Sequence, residues 1–272
     1  MRIFDTFIFF NELDLLECRL RELEDLPIQH ILVESAVTLQ GNPKPLYYRE
    51  NQERFAPWKD RIKTVVVGDA PMLQLQNSWQ RQAYQRECIF IGLKALDAEL
   101  DDLIIFSDVD EIPRASVLRQ DMETPRALSL KHHLFAVDWL HPYPITAPVA
   151  VRLKDVGHFD SLRIRKNGWR TRKNGWRQIP DAGWHFSWLG GPNAIKLKAA
   201  AYAHTELTDL IQRWADEGRL YQSGHAWSSD GSILDIQMVA VEVDETYPRW
   251  MQEGKFPPSW YRPRARRGPT ST

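Results

Sequence analysis

One stretch limits the possible folds more than any other: the apolar run Leu103-Ile104-Ile105-Phe106 stops abruptly at Ser107-Asp108-Val109-Asp110-Glu111-Ile112-Pro113. A short β-branched and aromatic run between acidic residues predicts a strand buried on both faces, as in a parallel sheet covered by helices. Ligands of such sheets bind outside the carboxyl ends of the strands, and Pro113 forces the chain out of the sheet just beyond the acids. Side chains of an extended chain alternate, so Asp108 and Asp110 are expected on one side with Val109 on the other. Two carboxylates in one small volume repel unless a cation neutralises them, and paired oxygen donors suit Mg²⁺ or Mn²⁺. With such an ion, an acidic strand end holds a diphosphate that it otherwise repels. The competing reading is a plain solvated turn, since Asp is common there. The strand before the triplet and the proline after it favour the metal site.

Upstream, Met1 to Phe10 reads as the first strand, too short for a membrane span and without a cleavage signal after it. Asn11 is placed to cap a helix carrying Leu13, Leu16, Leu20 and Leu23 and ending near Pro27. His30 to Val33 forms a second strand, parallel to the first in a β-α-β unit, with Glu34 at its ligand-facing end. Glu34 is a candidate for a ribose or base contact, or equally a loop-facing acid. Gly41 to Trp58 reads as an irregular loop, and Ile62 to Val67 as a third strand. Asn77 to Leu100 is predicted as one long helix whose stripe includes Trp79, Gln82, Ala83, Arg86, Ile89, Phe90 and Leu93. Arg86, and with it Arg81, is a candidate for a phosphate or base. The alternative for Arg86 is an ion pair with Glu87 or Glu111.

Downstream, Leu128 to Val137 alternates as one strand leading to Asp138-Trp139. Arg165 to Arg177 carries the duplicated hexapeptide Arg-Lys-Asn-Gly-Trp-Arg, which predicts two tight turns or a mobile hairpin. It suits either an anionic or glycan acceptor or a tolerant surface loop. Gly183 to Gly191 packs aromatics, His185 and a glycine pair together, and Pro192 opens a helix through Ala203. His204-Thr205-Glu206 and a helix carrying Leu207, Leu210, Ile211 and Trp214 follow. His185 and His204 are candidate metal ligands beside Asp108 and Asp110, although a lone histidine is more often structural. Residues 261–272 form a basic tail expected to be disordered, leaving 1–260 as a single domain.

A chain of 272 residues with 43% hydrophobic content buries a sizeable core, and a net charge of -1 gives no global attraction for nucleic acid or anionic membrane. Cys18 and Cys88 form no disulfide framework or zinc spacing and fit a reducing, cytoplasmic setting.

The Phe4 to Leu20 pattern, Val33-Glu34-Ser35, Gln85-Arg86, Ser107 to Pro113 and Gly183-Trp184-His185-Phe186-Ser187 together resemble glycosyltransferase family 17. The resemblance runs from about Met1 to the Trp214 helix. It implies an α/β, GT-A type nucleotide-diphospho-sugar transferase fold, Rossmann-like, with a mostly parallel central sheet and flanking helices. It further implies a UDP-sugar donor, UDP-N-acetylglucosamine first, and an inverting reaction that forms a β-linkage on a glycan or other hydroxyl acceptor. By motif, Asp108 and Asp110 hold the metal and the donor diphosphate, with His185 and His204 near them. A single displacement needs one carboxylate to take the acceptor proton, and Glu206 and Asp138 are the candidates. The anchor of the animal enzymes has no counterpart here, so the N-glycan acceptor is not carried over. Two other classes remain: a sugar- or nucleotide-sugar-binding protein without turnover, and a metal-dependent phosphohydrolase.

Overall fold

The computed structural model describes residues 1–118, 122–162, 176–203, 208–221, 226–227, 233–234 and 236–263. In chain order the first half comprises β1 (Ile3–Phe9), α1 (Leu13–Leu23), β2 (Ile28–Ser35), α2 (Tyr47–Glu50), β3 (Ile62–Val67), α3 (Asp69–Leu73), α4 (Ser78–Glu87), α5 (Ile89–Ala95), β4 (Leu103–Phe106), β5 (Glu111–Pro113) and α6 (Ala115–Leu118). The second half adds β6 (Arg126–Leu128), β7 (Lys131–Leu134), β8 (Trp139–Leu140), β9 (Val149–Arg152), α7 (Phe159–Leu162), β10 (Arg177–Ile179), β11 (Gly183–Ser187), α8 (Gly191–Ala201), α9 (Thr208–Asp216), β12 (Ala226–Trp227), β13 (Ile233–Leu234), β14 (Val239–Ala240) and α10 (Arg249–Gln252).

These strands form a seven-stranded sheet of order β10-β6-β9-β4-β1-β2-β3, a five-stranded sheet of order β14-β8-β7-β11-β5, and a β12–β13 pair. Strands β3, β2, β1 and β4 run parallel, and β9 meets β4 antiparallel. This is a mixed α/β arrangement with a parallel-rich centre. Chain order reverses between β2-β1 and β1-β4, so the carboxyl ends of β1 and β4 border the switch point, the place where open α/β sheets take ligands in a crevice.

Burial on both faces explains the apolar run at β4. Ile104 and Phe106 pack with Phe4, Ile31, Val33, Ile89 and Leu93, whereas Leu103 and Ile105 pack with Leu23, Ile28 and Leu128. On β1 and β2 the alternate residues Phe7, Phe9 and Leu32 meet Leu16 and Leu20 of α1. The small sheet reaches the large one through β5, which leaves the acidic turn and pairs with β11. Only glycine fits that crossing: Gly183 has φ +148°, and a Cβ there would lie 2.1 Å from the Ile112 carbonyl.

Several boundaries differ from the sequence expectations. Asn11 does not cap α1; Glu12 holds the N-cap position and its carboxylate accepts from the Phe10 and Asn11 amides instead. The irregular loop contains α2 and a 3₁₀ helix, Gln52–Arg61. The long helix is two, α4 and α5, broken at Cys88 and ended at Ala95, with Trp79 left 48% exposed. The strand expected over Leu128 to Val137 is divided between sheets, because Ser129 bonds to Ile179 and Leu130 to Ile145 before β7 begins, and Phe135 adopts φ 67°. Of the 165–177 duplication, only Trp176 and Arg177 lie among the described residues. Of the tail expected to be disordered from residue 261, residues 261–263 are placed, with Arg262 bonded to Asp138, and the rest, from 264 onward, lies outside the described residues. Both cysteines are buried free thiols, and no helix among the described residues is long and apolar enough to cross a membrane.

His133 on β7 offers a test of this packing. Its ring stacks on Phe186 with centroids 5.1 Å apart and faces the Tyr247 hydroxyl. Burial pulls the imidazole from 6.5 down to about 3, so it folds neutral. The stabilisation from this depressed value is complete above about pH 6.5 and is lost as the pH falls toward 3. His133→Phe keeps a packed ring and removes the titration. Denaturant unfolding at pH 7 and pH 4 is expected to show a smaller acid loss in the variant, by about 3 kcal/mol. An unchanged difference between the two pH values sinks the assignment.

Candidate functional site

The crevice between β1 and β4 is built from four pieces of chain. The β1-α1 connection brings Glu12, the β4-β5 turn brings Asp108 and Asp110, β11 brings His185, and α8 brings Lys198. The turn is not extended: Val109 and Asp110 are turn residues, and the Glu111 amide bonds the Asp108 carbonyl at 3.0 Å. The two-residue alternation therefore fails here, and the two acids acquire different partners. Asp108 faces the Arg86 guanidinium at 3.6 Å. Asp110 meets His185 Nε2 at 3.6 Å through one oxygen and Lys198 Nζ at 2.9 Å through the other.

Buried Arg19 of α1 clamps this turn. It donates to Asp5, to Ser107 Oγ at 2.6 Å, and to the Asp108 and Glu111 carbonyls at 3.1 and 2.8 Å. The Asp108 amide donates to Glu111 Oε2, and the Asp110 carbonyl accepts from the Phe186 amide. The acidic loop is thus held on both sides before any ligand arrives.

Lys198 bridges two acids, with Glu12 Oε1 at 3.0 Å in addition to Asp110. Burial alone raises a carboxyl, yet the Lys198 ammonium and His185 hold Asp110 well below the usual carboxylate range. Burial alone lowers an ammonium, yet Asp110 and Glu12 push Lys198 well above the usual lysine range. Lys198 lies on α8 beside the buried Ile195 and Ala199. Sequence reasoning singled out neither residue; a lysine next to the buried Ile195 and Ala199, and an acid in the short connection after β1, are the signals that could have found them.

Arg86 is buried on α4 near Asp108, as its stripe predicted. Its closest partner, however, is Asp160 of α7 at 2.8 Å, and neither Glu87 nor Glu111. The other candidates lie apart. Glu34 is inside β2, fully buried, and accepts from the Tyr48 and Arg49 amides at the start of α2; burial raises its carboxyl. Arg81 donates to the Met72, Leu39 and Leu75 carbonyls, tying loops together. Asp138 accepts from the Arg262 amide at 3.0 Å and its Nε at 3.2 Å. His204 and Glu206 lie outside the described residues.

Among the described residues, no three His, Cys, Asp or Glu side chains converge on a metal position. Asp110 supplies one hard oxygen donor, with the His185 imidazole beside it. Mg²⁺ is commonly held by one or two carboxylates, with substrate phosphates and water completing the shell. Beside the start of α8 lies a cavity of about 470 Å³ lined by Gly191, Tyr221, Tyr261 and Arg262 among others. Lys198 is seven residues further along the same helix, a rise of about 10 Å.

The chain is 26% identical over 243 residues to the human beta-1,4-mannosyl-glycoprotein 4-beta-N-acetylglucosaminyltransferase, covering 79% of this chain and 45% of the human protein. The rat and mouse proteins of the same name match at 26% identity over the same share of this chain and 44% of their own length. This chain therefore spans under half the length of these relatives. The sequence profile of glycosyltransferase family 17 matches residues 1–222, which include every described residue of the crevice, and the chain belongs to that family.

Proposed function

We propose that the protein transfers a sugar, N-acetylglucosamine first, from a UDP-sugar to a hydroxyl of a glycan acceptor, inverting the anomeric centre to give a β-linkage on a GT-A type scaffold. The observation that carries the reading is the position of Asp110. It stands at the carboxyl edge of the sheet where strand order reverses, charged and facing both a histidine and a lysine. Family membership and the N-acetylglucosaminyltransferase name of the mammalian relatives support N-acetylglucosamine as the sugar.

A divalent ion, Mn²⁺ or Mg²⁺, held by Asp110 and His185 would supply charge to the departing diphosphate. The chain's own part is to fix that edge. Arg19 holds the turn and Arg86 braces Asp108, whose carboxylate would border the donor. An inverting displacement needs a single base, whereas retention by a double displacement needs a positioned nucleophile as well. Asp138 and Glu206 are the proposed bases. Asp138 pairs with Arg262, which lines the 470 Å³ cavity, and that cavity with its two tyrosines is the proposed acceptor side.

The test is a reaction of UDP-N-acetylglucosamine with aryl mannoside acceptors in Mn²⁺, followed by proton NMR of the first product. Acceptor-dependent UDP release and a large anomeric coupling are expected. A small coupling overturns the inverting mechanism. Equal UDP release without acceptor indicates a hydrolase, and binding without release a sugar-binding protein.

A further inference from the structure

We infer that Lys198 is a diphosphate-binding residue that changes partners: it neutralises Asp110 while the donor is absent and turns to the donor's phosphates when a divalent ion takes Asp110. The inference rests on the proposed donor site. Its grounds are the two contacts of one ammonium, 2.9 Å to Asp110 and 3.0 Å to Glu12, at the mouth of the crevice. Two carboxylates share this single ammonium. A dication binding Asp110 competes directly with the ammonium for that carboxylate. Glu12, itself tied to the Phe10 and Asn11 amides, remains as an anchor that keeps Lys198 in the crevice. The displaced ammonium then stands beside an incoming diphosphate, which is the point charge that lysine binds well.

Lys198 is 18% exposed at its side chain, so its Nζ has a route to solvent and ligand. The α8 backbone that carries it is fixed by Ile195 and Ala199 in the core. The exchange therefore needs only rotation of a long side chain.

The consequence is coupling between ion and donor. With Lys198 present, the ion alone is opposed by a resident cation, and the diphosphate relieves that opposition by taking the cation away. Mn²⁺ and UDP should therefore each bind more tightly in the presence of the other. Calorimetric titrations of Mn²⁺ alone, and of UDP with and without Mn²⁺, on the wild type and Lys198→Met test this. Lys198→Met is expected to bind Mn²⁺ alone at least about tenfold more tightly and UDP in Mn²⁺ at least about tenfold more weakly. If repulsion between Glu12 and Asp110 lowers the melting temperature of the variant, Mn²⁺ should raise it further than it raises that of the wild type. Wild-type binding of both ligands with unchanged affinities in the variant overturns the role of Lys198 alone. A wild type that binds neither ligand overturns the donor site and this inference together.

Discussion

Replacing Arg19 with methionine is expected to cost about 3–5 kcal/mol of stability, the penalty typical of leaving one partner of a buried ion pair uncompensated. Arg19 and Asp5 are both fully buried, and the guanidinium grips both carboxylate oxygens. Burial alone raises Asp5; Arg19 and, on its other side, His30 reverse that and hold the carboxyl at about 2. This stabilisation is complete above the ordinary value of 3.8 and is lost as the pH falls through about 2. Arg19→Met at neutral pH therefore leaves a charged Asp5 in the core. It also frees Ser107 and the Asp108 and Glu111 carbonyls, so the acidic turn loses its clamp. Urea unfolding at pH 7 measures the loss. Adding Asp5→Leu to Arg19→Met should restore part of it, because the uncompensated charge is then gone. A single-variant loss under about 1 kcal/mol contradicts the clamp.

The largest expected effect on activity comes from Asp110→Asn. The substitution is nearly isosteric, and the asparagine can still accept from Lys198, so the fold should survive. What disappears is the negative charge facing His185 and Lys198. Charge stabilisation worth several kcal/mol at the leaving diphosphate corresponds to a loss of about 10³-fold or more in transfer. UDP release under Mn²⁺ reads the loss, and circular dichroism verifies the fold. Transfer within about tenfold of wild type places the donor elsewhere.

How much of this was legible in the sequence depended on how local each signal is. The β4 run declares itself, because four consecutive apolar residues between acids have few other uses and both faces are indeed buried. The β1-α1-β2 unit follows from the spacing of Leu13, Leu16, Leu20 and Leu23. The break at Cys88 does not, since the helical stripe continues across it. The sheet change after Leu128 was also hidden, because apolar alternation says nothing about which sheet a strand joins. Side-chain partners were hardest. Arg19 reads as one more charge on a charged helix, yet it falls within the leucine stripe and Asp5 interrupts an apolar strand. Two opposite charges in apolar patterns, close in a β-α unit, were the available sign of a buried pair. Lys198 and Glu12 are far apart in sequence and meet only when α8 crosses the end of β1. The partners of Glu34 were hidden for a simpler reason: β2 runs past it to Ser35, and its carboxylate accepts from two backbone amides across the connection to α2.

The central claim is that the donor diphosphate binds at the Asp110 edge of the sheet. Calorimetric titration of UDP in the presence of Mn²⁺, on wild type and on folded Asp110→Asn, tests it most directly. The account predicts saturable binding to the wild type and its loss in the variant, since removing one charge from the ion's carboxylate takes away the bridge to the diphosphate. Wild-type affinity for UDP in Asp110→Asn would contradict it.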